Sequence, residues 1–437
     1  MQLDSYHHVH CVGAGGIGIS GVMKFLFAKG VSVSGSDAKQ SMITDDLVDL
    51  GIQISIGHDV QNIPSDTDLV VYTEAATEEN EERIEAFERG ILQMGHFDFL
   101  GELSKDYRTI CITGTNGKST TTAMMGKIFI DAGLDPTVFV GSIVPGWKYG
   151  NVQVGASDIL IIEGDEYKQK MVKLWPETTV ITNIEADHLD VYRDLDHIIE
   201  TFEEIAKKTV GTVFINADDT NSKQITTLHL KTYDASMIGN VALTIPSTFN
   251  RMNASAALVV ALEYGIDRAV ALKSLSEFPG IWRRFERVGM FNGAQIISDY
   301  GHHPSAIKGT LEGAREFFST NRIVLLFEPH QHNRTKELFS EFAESFGGAD
   351  VLILSEIYGV LGRTESTDAA VSSKTLLDAA TKSAHPPKEG HYAKDLIEAE
   401  TMLRTMIKEN DVVIVMGAGD VDAVARNLVS TPSDSPL

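Results

Sequence analysis

The chain has 437 residues, with 61 acidic against 37 basic for a net charge of −24, and 43% of it is hydrophobic. That length supports two to four domains at about 150 residues each, while the acidic balance and the lack of any basic cluster exclude nucleic acid and anionic membranes as partners. No run nears the roughly 20 apolar residues of a membrane span and no basic, apolar leader opens the chain, so a cytoplasmic protein is expected, with Cys11 and Cys111 as buried thiols rather than a disulfide.

Val9-His10-Cys11-Val12 reads as a strand. It runs into Gly13-Ala14-Gly15-Gly16-Ile17-Gly18, a helix over 20–29, and a second strand that ends at Gly35-Ser36-Asp37. Strand, glycine turn, helix and an acidic residue about 20 positions on match the fingerprint that seats a dinucleotide's phosphates and a ribose hydroxyl. A packing turn is the plainer alternative. Alternating strands and helices continue to about Asp106, closing a Rossmann-like domain.

Thr109-Ile110-Cys111-Ile112-Thr113 is a second strand-to-glycine junction. It delivers Gly114-Thr115-Asn116-Gly117-Lys118-Ser119-Thr120 and a helix up to Ala132. Glycines let backbone N–H groups converge on phosphate oxygens, and the helix adds the positive end of its dipole. Lys118 would reach the β- and γ-phosphates, and Ser119 would face Mg²⁺. Ile112 stands where the longer motif has its first glycine, so this is a shortened form.

The apolar run 158–162 ends in Glu163-Gly164-Asp165-Glu166. Carboxylates there can hold Mg²⁺ against phosphates, or simply form a solvated turn. The strand 179–182 ends in Asn183-Ile184-Glu185-Ala186-Asp187-His188-Leu189-Asp190, where His188 either ligates a second metal or is structural. Asn250 and Asn253 open a small-residue helix, and Arg283 and Arg284 follow a Pro-Gly turn. From about Arg287 a third β/α unit delivers Asp299-Tyr300-Gly301-His302-His303-Pro304, Glu328-Pro329-His330-Gln331-His332-Asn333-Arg334, and Gly417-Ala418-Gly419-Asp420, each after a strand. A helix is expected over 335–346, and disorder over the Ser/Pro-rich end 430–437.

In this order the motifs resemble the Mur ligases. The resemblance implies an α/β protein of three domains: a Rossmann-like UDP-sugar-binding domain (1–106), a central P-loop ATPase domain with a mainly parallel sheet (107–285), and a C-terminal Rossmann-like domain that brings the amino acid (286–437). It implies ATP and Mg²⁺ as cofactors, with UDP-N-acetylmuramate as the acid. L-alanine is the amine, or another amino acid or a preformed tripeptide. The protein is expected as a monomer or weak homodimer.

The resemblance also distributes roles. Gly13, Gly15, Gly16, Ile17, Gly18, Ser36, Asp37 and Thr73 face the UDP-sugar. Gly114, Thr115, Asn116, Gly117, Lys118, Ser119 and Thr120 hold ATP, with Asn250, Arg284 and Asp299. Ser119 and Glu163 take one Mg²⁺ and His188 a second. His302, His330 and Arg334 serve the amino-acid side, where the planar fork of Arg334 suits a carboxylate. Several positions depart from the pattern the resemblance implies: Asn116 stands for a histidine, Ser119 for a threonine, Thr73-Glu74-Ala75-Ala76 for Ser-Ser-Ala-Ile, and His96 and Gln331 each for an arginine. Nicotinamide-dependent hydride transfer at the first glycine motif is the competing function, and it leaves the ATP cradle without a purpose.

Overall fold

The computed structural model describes residues 6–188, 191–359 and 371–430. Leu189, Asp190 and the expected disordered end beyond Ser430 lie outside the described residues. The chain forms two compact units. One comprises residues 1–243 with 251–278, the other 244–250 with 279–437.

The first unit holds two sheets. Strands β1 (His8–Val12), β2 (Ser32–Asp37), β3 (Gln53–Ile56), β4 (Leu69–Tyr72) and β5 (Leu92–Gly95) pair in parallel in the order β3-β2-β1-β4-β5. Strand order reverses at β1, so the loop after it opens at the crevice where such sheets bind ligands. Strands β6 (Arg108–Thr113), β7 (Thr137–Phe139), β8 (Val152–Gln153), β9 (Ile159–Glu163), β10 (Thr178–Ile181), β11 (Val213–Asn216) and β12 (Leu230–Tyr233) form the second sheet, ordered β12-β11-β10-β6-β9-β7-β8. Only β8 runs antiparallel to its neighbour. β6 lies between β10 and β9, which places the P-loop between their two carboxyl ends.

β4 and β9 are nearly continuous Val, Ile and Leu runs, the pattern of parallel strands covered on both faces. The two sheets share one hydrophobic core that reaches from Val9 through Phe25, Phe97 and Phe139 to Ile225. Phe25, on the helix Ile17–Ala28, meets Phe139 of β7 with ring centres 5.4 Å apart. Cys11 and Cys111 are buried free thiols in this core.

The second unit holds β13 (Glu286–Phe291), β14 (Ala294–Asp299), β15 (Ile323–Phe327), β16 (Val351–Leu354), β17 (Glu389–Tyr392) and β18 (Val412–Met416), ordered β13-β14-β18-β15-β16-β17. Five are parallel. β13 is antiparallel because a short turn at Asn292 and Gly293, both at positive φ, folds it back onto β14 as a hairpin. The sheet is therefore mixed.

Several helices differ from the sequence expectation. The helix expected over 20–29 begins at Ile17, and His96–Ser104 is helical with no pattern in the sequence to announce it. The helix expected over 335–346 is two short helices, His332–Glu337 and Phe339–Ala343, separated at Leu338 with φ −107° and ψ 25°. The small-residue helix begins at Thr248, ahead of Asn250. No helix among the described residues is long and apolar enough to cross a membrane.

Candidate active site

Gly114 (φ +135°) and Gly117 (φ +86°) turn the chain from β6 into the helix Lys118–Asp131. Both are conformations that side chains disfavour. A Cβ on Gly114 would lie 2.9 Å from the Asn183 carbonyl, and one on Gly117 would collide with the Asn253 amide. The end of β10 braces the loop. Thr115 N donates to Asn183 O (2.9 Å), Asn116 N to the Asn183 side chain (3.0 Å), and Thr182 Oγ1 to Asn116 O (2.6 Å). The loop is thus held open by side chains of the next strand, with Thr120 buried behind it.

Lys118 Nζ donates to Gly114 O (2.6 Å) and Thr115 O (3.1 Å) and pairs with the Glu166 carboxylate at 2.8 Å. Burial works against its charge, but Glu166 and Glu163 outweigh it and hold the ammonium above its usual range. Burial pushes the Glu166 carboxyl up from its usual range, against the pull of Lys118. Ser119 Oγ donates to Glu163 Oε1 (2.9 Å), and Gly141 N to Glu163 Oε2 (2.7 Å). His188 adopts φ +55° and lies 3.8 Å from Glu166 Oε1, its ring 4.9 Å from Tyr167. So Ser119 is brought to Glu163 and His188 to Glu166. Among the described residues no group of three or more His, Cys, Asp or Glu gathers as a metal cluster. Glu166 belongs to the strand-end acids the sequence points to, while Asn253, against Gly117, is a site neighbour to which the motifs give no role.

At the first sheet, Gly15 N donates to Asp37 Oδ2 (2.8 Å), and Gly13 (φ +89°) packs against Thr73. A cleft of about 460 Å³ opens beside Gly13, Asp37 and Thr73, with His58 on its wall. Ser36 is fully buried and donates to Glu82 (2.5 Å), which also approaches His58. Ser36 and Asp37 are consecutive in β2, so they point to opposite faces. Ser36 supports the cleft from beneath through His58. Glu82 has its carboxyl held down to about 2: burial opposes its charge, but hydrogen bonds from His10, Asn62 and Ser36 prevail.

A second cavity, about 310 Å³, lies between the two sheets of this unit. It is lined by Gly18, His96, Lys118, Glu163, Asp165 and Lys170, among others. Ile17 stands at the same cavity, and Gly16 caps the helix that starts there.

In the other unit Asp299 accepts from Phe285 N (2.8 Å) and Gly301 N (2.7 Å). Burial raises its pKa, opposed by Arg284, whose guanidinium lies 5.0 Å from the Tyr300 ring. His302 and His330 have ring centres 6.0 Å apart, and His330 stacks on Tyr358 at 5.3 Å. Arg334 sits on the helix His332–Glu337. Asn250 belongs to this unit and donates to Pro246 O (2.6 Å).

Three α/β sheets, a glycine loop carrying Lys118 and Ser119, and a strand-end carboxylate beside them define a P-loop enzyme that works on a nucleotide triphosphate. Three family models match in chain order: the Mur ligase family catalytic domain over 8–108, the Mur ligase middle domain over 112–238, and the Mur ligase glutamate ligase domain over 283–419. The chain belongs to the Mur ligase family. A UDP-N-acetylmuramate–L-alanine ligase of Clostridium tetani is 37% identical, over 94% of this chain and 96% of the relative. The crystal structure of a UDP-N-acetylmuramate-alanine ligase from Thermotoga maritima matches with a TM-score of 0.82 at 28% identity, over 97% and 98% of the two chains. A murein peptide ligase from Psychrobacter arcticus shares the fold, with a TM-score of 0.71 at 22% identity over 99% and 100%.

Proposed function

We propose that this chain uses ATP to join L-alanine to the lactyl carboxylate of UDP-N-acetylmuramate. The observation that carries this reading is the 37% identity over 94% of the chain to a ligase of that name. The Lys118–Ser119–Glu163 geometry supports it.

A carboxylate is a poor acyl donor because oxide is a poor leaving group. One carboxylate oxygen attacks the γ-phosphorus, the bond to ADP breaks, and an acyl phosphate forms. The amino-acid nitrogen then adds to the carbonyl carbon and loses a proton. Phosphate leaves with the bonding pair, and an amide remains. Lys118 offsets charge on the transferring phosphoryl group, with P-loop amides as donors. Ser119 and Glu163 offer adjacent hard oxygens, a donor set that suits Mg²⁺. When bound there, the ion would neutralise phosphate charge. We assign His188 and Glu166 to a second ion. Gly13, Gly15 and the helix start at Gly16–Gly18 take the diphosphate of the UDP-sugar, with Asp37 and Thr73 at its nucleoside. Asn253 supports the ATP loop; Asn250, Arg284 and Asp299 are assigned to the rest of the nucleotide. His302, His330 and Arg334 receive the amino acid. We assign the three roles to residues 1–106, 107–285 and 286–437, in a cytoplasmic monomer or weak homodimer.

The test is phosphate release with ATP, UDP-N-acetylmuramate and a panel of L-alanine, glycine, L-serine and a tripeptide. L-alanine should give the highest kcat/KM, with product mass raised by one alanine residue. A tripeptide preferred over L-alanine replaces the reading, and no release with any amine overturns it.

A further inference from the structure

The cavity between the first and central sheets has Gly18 at one end and Lys118 with Glu163 at the other. A substrate whose diphosphate rests at the helix start near Gly18, and whose carboxylate must reach a phosphate at Lys118, passes through it. Two residues along that path are not explained by the P-loop or the glycine turn: His96 and Lys170.

His96 lies so close to Gly18 that a Cβ there would collide with its ring. Burial pushes its imidazole down to about 4, so near neutral pH it is an uncharged wall where the family has an arginine. Lys118 directs its donors to Gly114 O, Thr115 O and Glu166. Lys170 is arranged differently. Its ammonium donates to Asp165 Oδ2 at 2.7 Å and is flanked by the rings of Tyr167 (5.1 Å) and Phe97 (5.9 Å). An ammonium has three N–H donors, and Asp165 takes one. Asp165 is itself fixed, since its other oxygen accepts from Tyr167 N at 3.0 Å. The backbone that aims Lys170 passes through two consecutive left-handed residues, Lys168 (φ 53°) and Gln169 (φ 59°). Side-chain-bearing residues keep that conformation only where their surroundings impose it, which is common at functional sites.

We infer that Lys170 is a specificity-determining residue that receives the carboxylate of the acid substrate. This rests on the UDP-N-acetylmuramate reading above. Lys170 binds one carboxylate oxygen and leaves the other free for the phosphate at Lys118. Asp165 holds the ammonium in place, and the two aromatic rings keep bulk water from it. The cavity thereby selects a sugar that carries an acid over the same sugar without one.

The experiment is calorimetric binding of two ligands to the full chain: UDP-N-acetylmuramate, and UDP-N-acetylglucosamine, which lacks the carboxylate. The wild type should prefer the muramate. Lys170→Gln should weaken muramate binding tenfold or more and leave the other ligand unchanged, so that the preference collapses. Lys170→Arg should restore most of it, and binding of a non-hydrolysable ATP analogue should not move in either variant. Equal weakening of both sugars, or an intact preference in folded Lys170→Gln, overturns the inference while the proposed function stands. A wild type that binds neither sugar overturns the function itself.

Discussion

The Lys118 ammonium stands 2.8 Å from the Glu166 carboxylate, which arrives from the far end of β9 and is 4% exposed. Two residues 48 positions apart thus form one charged pair at the mouth of the P-loop. Lys118→Ala removes the cation that would meet the γ-phosphate. ADP formation should fall by about 10²–10³-fold, the scale of losing one transition-state donor. UDP-N-acetylmuramate binding by calorimetry should fall far less, because Lys118 lines only the carboxylate end of the path and is not among the residues at the Asp37 cleft. Loss of both in a folded variant would reject this division of labour.

Gly117→Ala should damage the loop in two separable ways. A Cβ at φ +86° is intrinsically disfavoured by about 1–2 kcal/mol, and it also strikes the Asn253 side chain. Thermal unfolding should show a lower Tm for the single variant. Adding Asn253→Ala should recover only the steric part. Full recovery in the double variant would assign the whole effect to crowding.

Glu328 is 4% exposed, and burial raises its carboxyl to about 7, above the ordinary 4.5. The folded state therefore holds this proton over a range where the unfolded chain has released it. Its contribution is fully present below pH 4.5 and is lost as pH rises through 7, by up to about 3 kcal/mol at 1.36 kcal/mol per unit. Glu328→Gln keeps an acceptor for Val421 N and removes the titration. Urea unfolding at pH 5 and pH 8 should show the variant gaining on the wild type at the higher pH. Equal gaps at both would count against a raised carboxyl.

Arg334→Ala should raise the amino-acid KM by roughly ten- to a hundredfold, the worth of a charge-assisted contact of about 1.5–3 kcal/mol. The KM for ATP should change little. Initial rates with each substrate varied in turn decide it, and an unmoved amino-acid KM would take Arg334 out of that role.

Where function depends on neighbours in sequence, it was legible. β6, the two turning glycines and the helix that starts at Lys118 follow from apolar patterning and from φ values that glycine favours. The strand-end acids at Glu163 and Glu166 were visible for the same reason. What escaped depends on which side of an element a residue faces. Ser36 lies beside Asp37 in sequence but on the opposite face of β2. Asn253, three residues after Asn250, is the one against Gly117. The helix His96–Ser104 was hidden by Gly95 and Gly101 and by closely spaced Phe97, Phe99 and Leu100. Gly101 is tolerated because Lys173 O occupies the space a Cβ would need. The break at Leu338 has no glycine or proline to announce it.

The continuous core from Val9 to Ile225 has a mechanical corollary. The turn at Gly13–Gly18 and the turn at Gly114–Lys118 are anchored in the same block of interlocked side chains, with Phe25 against Phe139 at the seam. The spacing between the two glycine turns is therefore set when the chain folds, like two jaws cut from a single casting. A mutation at that seam should misalign catalysis without touching either nucleotide.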